Sequence, residues 1–139
     1  LNLFIFDNSA KAHEKVFDRV LNKYKNTKVH AFEDLNEGIE KLNGTDNTVI
    51  LCGIEGNSIE TYFTGNSWAG EYHNKAQSLI SDLKEKKPDA KVIVYTGGVS
   101  CQKDDARKFG ADGYLGKPAN LSEISDTIFS VSEGSYRWS

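Results

Sequence analysis

Four pairs of residues stand at the ends of apolar runs in this sequence, and each pair includes a side chain with a polar or reactive group. The pairs are Asp7 and Asn8, Cys52 and Gly53, Thr96 and Gly97, and Lys117 and Pro118. A carboxylate such as that of Asp7 is a hard oxygen ligand of the kind that Mg²⁺ prefers. The ammonium of Lys117 and the hydroxyl of Thr96 can neutralise and bind a phosphate oxygen. These residue types predict a polar site, provided that the fold brings the pairs together.

Short apolar runs alternate with helical patterns along the chain. The strands are predicted at 1–6, 28–32, 48–52, 92–95 and 114–115, and a helical pattern follows each of them. Continuous apolar runs suit parallel strands that helices cover on both sides. The sequence therefore predicts an α/β protein with right-handed crossovers. In such sheets ligands bind at the carboxyl ends of the strands, so we expect the four pairs at one edge.

Length and composition restrict the class of protein. The chain has 139 residues, 38% of them hydrophobic, and a formal charge of -3. This length fits one domain, and the mild acidity gives no electrostatic footprint for direct nucleic-acid binding. No apolar stretch approaches the roughly 18 to 20 residues that cross a membrane, and two cysteines make no disulfide framework. We expect a cytoplasmic protein that contacts neither nucleic acid nor membrane.

Two segments fall outside the strand and helix pattern. Residues 53–72 read GIEGNSIETYFTGNSWAGEY and have no apolar period, so we predict a long loop insertion between the third strand and the third helix. Its aromatic residues indicate either packing over the site or contact with a partner. Residues 132–139 are predicted to be a frayed C-terminal tail. The domain itself is predicted to span residues 1–131.

The segment 91–118 carries the most specific pattern in the chain. It reads KVIVYTGGVSCQKDDARKFGADGYLGKP, which is a strand ending in Thr96, a helix, a Gly-Ala-Asp-Gly turn and a strand ending in Lys117 and Pro118. This resembles the last third of a response-regulator receiver domain of the CheY-like superfamily. The resemblance continues more weakly over nearly the whole chain. It implies a flavodoxin-like (βα)5 three-layer sandwich with a five-stranded parallel sheet in the order 2-1-3-4-5.

The resemblance also assigns roles to individual residues. The family has two acidic residues after strand one, a phosphorylated aspartate after strand three, a hydroxyl after strand four and a lysine before proline after strand five. Asp7, Thr96 and Lys117 match the first acidic position, the hydroxyl and the lysine. Tyr114 matches the aromatic whose rotamer the family couples to the hydroxyl. Ordinary structural roles at the ends of strands would satisfy the same residues without any switching.

Two positions depart from the family pattern. Asn8 stands at the second acidic position, which removes a charged metal ligand. Cys52 or Gly53, depending on a one-residue register ambiguity, takes the acceptor position. Neither residue can form an acyl phosphate, and a thiolate is a poor ligand for Mg²⁺. The resemblance therefore implies a degenerate phosphorylation site, in which Asp7 is the one candidate for a metal ligand and no cofactor is expected.

These departures predict a phosphorylation-independent receiver, or pseudo-receiver, which is a protein-interaction module of a two-component-type pathway. The face that receivers commonly use, around the fourth helix, fifth strand and fifth helix, would include Ser100, Asp104, Lys108 and Tyr114. Its partner would be a kinase, an output domain or a second copy of the chain. The alternative is a divergent receiver that responds to Mg²⁺ or to a noncovalently bound phosphate or other anion. An enzyme is not expected, because no nucleophile stands with a base.

Three further hypotheses concern a glutamate, the two cysteines and the three histidines. Glu55 could fold back toward Lys117 and imitate a permanently charged site. Cys52 and Cys101 could approach one another in a redox switch, if their Cα atoms came within about 7 Å. The three histidines are too widely separated for a zinc site and are expected to be solvated or packed; they are His13, His30 and His73.

Overall fold

Ten regular elements alternate in a computed structural model that describes residues 1–7, 10–21, 27–33, 35–53, 72–97 and 102–138. The strands are β1 (Asn2–Phe6), β2 (Lys28–Phe32), β3 (Thr48–Gly53), β4 (Lys91–Thr96) and β5 (Gly113–Gly116). The helices are α1 (Ala10–Leu21), α2 (Leu35–Glu40), α3 (Tyr72–Lys86), α4 (Lys103–Lys108) and α5 (Leu121–Glu133). The predicted alternation of strands and helices is confirmed.

The five strands form one parallel sheet in the order β2-β1-β3-β4-β5. The flavodoxin-like fold and the predicted strand order are therefore confirmed. Strand β1 lies between β2 and β3, and Phe6 pairs in register with Cys52. The direction of the strand order reverses at β1, which is where ligands enter such sheets.

Alternating side chains divide the core into two clusters, one on each face of the sheet. Phe4, Ile50 and Val92 belong to the cluster that α2, α3 and α4 cover. The other cluster includes Leu3 and Ile93, and α1 and α5 cover it. Successive residues of a strand point to opposite faces, so a run that is apolar throughout requires both faces to be buried. The result is the predicted three-layer arrangement.

The chain after residue 131 differs from the expectation of a frayed tail. Helix α5 begins after Asn120, whose side chain accepts a hydrogen bond from the Glu123 backbone N–H at 2.8 Å, and it continues to Glu133. It ends at Gly134, whose φ of 77° is the left-handed conformation that favours glycine. Residues 135–138 follow it, and Trp138 packs against a core cluster. Helix α5 thus extends two residues past the predicted domain end at residue 131, and the tail contacts the domain in this structure.

The predicted loop insertion is described only at its two ends. Strand β3 ends at Gly53 and helix α3 begins at Tyr72, while residues 54–71 lie outside the described residues. The packing or partner role of this loop stays a prediction. Within the described ranges, none of the helices combines the length and the apolar character needed to cross a membrane.

Candidate functional site at the carboxyl edge of the sheet

An ion pair between Asp7 and Lys117 joins the ends of the first and last strands. The Nζ atom of Lys117 lies 3.0 Å from Oδ2 of Asp7, although the two residues are 110 positions apart. The Asp7 side chain is 6% exposed and that of Lys117 is 27% exposed. Backbone hydrogen bonds hold both ends in place, since Asp7 N–H donates to the Phe32 carbonyl and Lys117 N–H donates to that of Thr96. The lysine therefore neutralises a buried carboxylate of its own chain.

The same ammonium lies over an aromatic ring. Nζ of Lys117 is 4.6 Å from the centre of the Tyr95 ring, a distance at which the ring face attracts a cation. Tyr95 was not among the predicted site residues. The sequence could have indicated Tyr95 because it directly precedes Thr96. Successive side chains of a strand point to opposite faces of the sheet, so Tyr95 lies on the face opposite to Thr96. Carboxylate and ring together fix the lysine on two sides.

Gly53 provides the space that the Asp7 carboxylate occupies. A Cβ atom built on Gly53 would lie 2.9 Å from both Cγ and Oδ1 of Asp7. Real Cβ contacts are essentially never shorter than 3.0 Å, so a side chain at this position requires Asp7 to move. Of the two residues that end β3, Gly53 is therefore the one that faces Asp7.

Cys52 points into the core instead. It is 0% exposed and belongs to the cluster on the α2, α3 and α4 side, in register with Phe6 and Val94. Its thiol is buried and forms no disulfide. The hypothesis of a redox switch needs Cys101, which lies outside the described residues, so that hypothesis stays a prediction.

Thr96 ends β4, and Tyr114 lies within the neighbouring strand β5. Thr96 is buried and pairs in register with Gly116. Tyr114 is half-buried against the core, and its hydroxyl lies 3.9 Å from the point where a Cβ on Gly116 would stand. The ring thus extends along β5 toward the edge that holds Thr96. A coupling between the tyrosine rotamer and the threonine hydroxyl remains a prediction.

The fold brings four of the predicted site residues to the carboxyl edge of the sheet, but not all of the predicted residues lie there. Asp7, Gly53, Thr96 and Lys117 end neighbouring strands. Asn8 and Glu55 lie outside the described residues. His13 and His73 lie in described helices, but their side chains are outside the described part of the structure. Among the residues whose placement is described, no three His, Cys, Asp or Glu side chains cluster in a way that could hold a metal ion. Asp7 as a ligand of Mg²⁺ stays a prediction.

Comparison with known proteins places this fold among signalling domains. The chain superposes on a response regulator of Burkholderia pseudomallei, solved with a phosphorylated aspartic acid, a calcium ion and citrate. The TM-score is 0.62 and the identity is 25%, over 96% of this chain and 69% of that one. It superposes on the isolated REC domain of RcsB from Salmonella enterica serovar Typhimurium, solved with phosphomimetic BeF3⁻, with a TM-score of 0.71 at 16% identity over 99% and 91% of the two chains. The chain has the fold of a response-regulator receiver domain.

Sequence relatives agree with the structural ones over part of the chain. The photosynthetic apparatus regulatory protein RegA of Rhodovulum sulfidophilum is 39% identical over 56 residues. That match covers 40% of this chain and 31% of RegA, so the chain matches less than a third of that relative's length. No protein-family model matches the chain.

The predicted receiver interaction face is only partly described. Asp104 and Lys108 are exposed on α4, and Tyr114 is half-buried on β5, whereas Ser100 lies outside the described residues. The sequence reasoning missed Tyr136, whose hydroxyl lies 3.2 Å from both the backbone N and the carbonyl O of Tyr114. Two aromatics, Tyr136 and Trp138, follow the helix-ending glycine in the sequence, but no local pattern indicated a contact with Tyr114.

Proposed function

We propose that the chain is a receiver-like signalling module that works without phosphorylation. One observation carries the proposal: Gly53 stands at the end of β3, and the carboxylate of Asp7 fills the space that a side chain there would need. Phosphorylation of a receiver requires a carboxylate nucleophile at that strand end. Gly53 has none, and the neighbouring Cys52 is turned into the core with 0% exposure.

The state of Lys117 supports the same proposal. In a phosphorylated receiver the lysine neutralises phosphoryl charge. Here its ammonium already pairs with Asp7 at 3.0 Å and lies over the Tyr95 ring. Binding an anion would require Lys117 to leave a carboxylate that is 6% exposed, and a buried charge without its partner is costly. The charge of Lys117 is therefore already neutralised by Asp7 of the same chain.

A module without a phosphorylated residue must transmit its signal by binding. The proposed partner is a kinase, an output domain or a second copy of the chain, bound through α4, β5 and α5. This face offers the exposed side chain of Asp104 and the half-buried ring of Tyr114. Regulation then comes from a partner that binds two conformations of the chain with different affinity.

A second candidate function is noncovalent anion sensing. It is favoured by the exposure of Lys117, whose side chain is 27% accessible at an edge where Thr96 also ends its strand. An anion that competes with Asp7 for the ammonium would release the ion pair and change the charge at the edge.

An NMR titration with Mg²⁺ and then beryllofluoride tests both functions. The amides of Asp7, Gly53, Thr96 and Lys117 report on the site, and Lys117→Met is the control that removes the ammonium. We expect no saturable shifts at millimolar ligand, and no phosphoryl mass gain after incubation with acetyl phosphate. Saturable shifts that disappear in Lys117→Met would establish anion sensing, and a covalent phosphoryl group on the chain would overturn the first function.

A further inference from the structure

Residues 134–138, here called the strap, turn back from α5 onto the edge of the sheet. Gly134 reverses the chain in the left-handed conformation, and the Ser135 N–H donates to the Ser130 carbonyl at 2.8 Å. The Tyr136 and Trp138 rings meet edge to face with centres 5.3 Å apart. The Arg107 guanidinium of α4 lies 6.0 Å from the centre of the Trp138 ring. The strap therefore joins α5 to α4 across β5.

The Tyr136 hydroxyl makes two hydrogen bonds to one residue of β5. It accepts from the Tyr114 N–H at 3.2 Å and donates to the Tyr114 carbonyl at 3.2 Å. A phenol has one donor and two acceptor sites, so a single oxygen can make both bonds. The ring packs beside Gly113, where a Cβ would lie 3.6 Å from Cδ1 of Tyr136.

Strand β5 is an edge strand, and its outward backbone groups could pair with another chain. The strand order leaves β4 on one side of β5, and the Tyr114 N–H and C=O point to the other side, toward Tyr136. An open edge of this kind pairs readily with a further strand, and natural proteins usually cover it. In this chain a side-chain hydroxyl covers it.

We infer that the strap occupies the edge of β5 at which a second copy of this chain would bind. When two β5 edges meet antiparallel on a two-fold axis, a residue on that axis exchanges both of its N–H···O bonds with its own counterpart. Those are the two bonds that Tyr136 makes to Tyr114. Opening of the strap exposes Tyr114, and two copies then join through β5. This inference rests on the proposed interaction through α4, β5 and α5.

The surroundings of Tyr114 favour a copy of the same chain over a foreign one. Gly113 and Gly116 bound the short strand, so no side chain at either position obstructs the approach of a second backbone. A groove of about 460 Å³ runs beside β5 between the strap, α4 and α5. Its lining includes charges of both signs: Lys103, Glu123, Asp126 and Arg137. A two-fold axis can place the basic residues of one copy against the acidic residues of the other.

The experiment compares the whole chain with Tyr136→Phe, which keeps the ring and removes only the hydroxyl. Sedimentation equilibrium over a range of concentrations measures self-association, and hydrogen exchange measures protection of the Tyr114 amide. We expect the amide of the variant to exchange about two- to tenfold faster, because one hydrogen bond is lost. We also expect the variant to dimerise about tenfold more tightly, because the intramolecular competitor has gone.

Two more variants keep the inference open to refutation. Trp138→Ala loosens the strap while keeping the hydroxyl, and it should increase dimerisation in the same direction by a smaller factor. Gly116→Lys added to Tyr136→Phe puts a charge on the edge and should restore the monomer. Faster exchange without tighter dimerisation, or a dimer that Gly116→Lys leaves intact, overturns the inference. Neither result affects the proposed lack of phosphorylation, and phosphoryl uptake would refute that function without changing this equilibrium.

Discussion

Two lysine-aspartate pairs lie at opposite ends of the same sheet and have different surroundings. At the amino end, Lys84 of α3 pairs with Asp112, which also accepts a hydrogen bond from the Val92 N–H at 2.8 Å. Lys84 donates to the Ala90 carbonyl as well. At the carboxyl end, Lys117 pairs with Asp7 and lies over an aromatic ring. The first pair accepts from and donates to backbone groups of the sheet, whereas the second pair neutralises a buried carboxylate at the carboxyl edge.

Burial decides what each pair contributes. The side chains of Lys84 and Asp112 are 28% and 27% exposed, so water can solvate either charge if its partner is lost. Asp7 is 6% exposed and depends on Lys117 for compensation. Two pairs of the same residue types therefore have different roles. The amino-end pair binds backbone groups, and the carboxyl-end pair neutralises a buried charge.

The largest effect is expected from Lys117→Met. It leaves the buried Asp7 carboxylate without its cation, and we expect the free energy of unfolding to fall by about 3 kcal/mol. Lys84→Met at the amino end is the matched control and should cost about 1 kcal/mol. Urea denaturation measures both. Equal losses at the two ends would show that burial does not distinguish the pairs.

Asp112→Ala tests whether the amino-end pair stabilises the sheet through its hydrogen bond with the backbone. It removes the acceptor of the Val92 N–H, and we expect a loss of about 2 kcal/mol. Asp112→Asn keeps an oxygen acceptor while losing the charge, so its loss should be about half as large. Thermal unfolding with both variants separates the hydrogen bond from the ion pair. If the two variants are equally unstable, the charge matters and the backbone contact does not.

Gly53→Ala adds a methyl group at the carboxyl end, where Asp7 leaves no room. We expect a loss of about 1.5 kcal/mol, because the carboxylate must move away from the new Cβ. The control is Gly116→Ala at the same edge, where the nearest atom to the new Cβ is 3.7 Å away. Its stability should change by less than about 0.5 kcal/mol. A neutral Gly53→Ala would mean that Asp7 is not held where its ion pair places it.

The smallest effect concerns pH and a residue outside both pairs. Burial, then the nearby Lys28, lowers the pKa of His30, while Glu14 opposes the shift. The folded chain therefore prefers the neutral ring more than the unfolded chain does. Stability should be constant above the ordinary histidine pKa of about 6.5 and should fall as the pH drops below it. Unfolding between pH 8 and 5 checks this, and His30→Asn should flatten the profile.

The fold could be predicted because its signals are repeated along the chain. Apolar runs flanked by helical patterns recur five times, and parallel strands leave few possible topologies. The same logic predicts that Asp7, Thr96 and Lys117 lie at one edge of the sheet. The register at Cys52 and Gly53 was not predictable, because a slip of one residue turns every side chain of a strand to the other face.

Contacts between single side chains were harder to predict. The sequence suggested Glu55 as a partner of Lys117, and the structure shows Asp7 in that role, while Glu55 lies outside the described residues. The bonds between Tyr136 and Tyr114 also had no sequence signal, because a hydroxyl that binds backbone groups leaves no period in the chain. Such contacts depend on three-dimensional proximity rather than on a local pattern.

The absent side chain of Gly53 also affects how this chain could evolve. A mutation that supplied an aspartate at position 53 would set a second carboxylate against Asp7, with one lysine shared between them. Such an intermediate would lose stability, because one lysine cannot neutralise two buried carboxylates. A single substitution at position 53 would therefore be selected against, so descendants of this chain would tend to keep a glycine there.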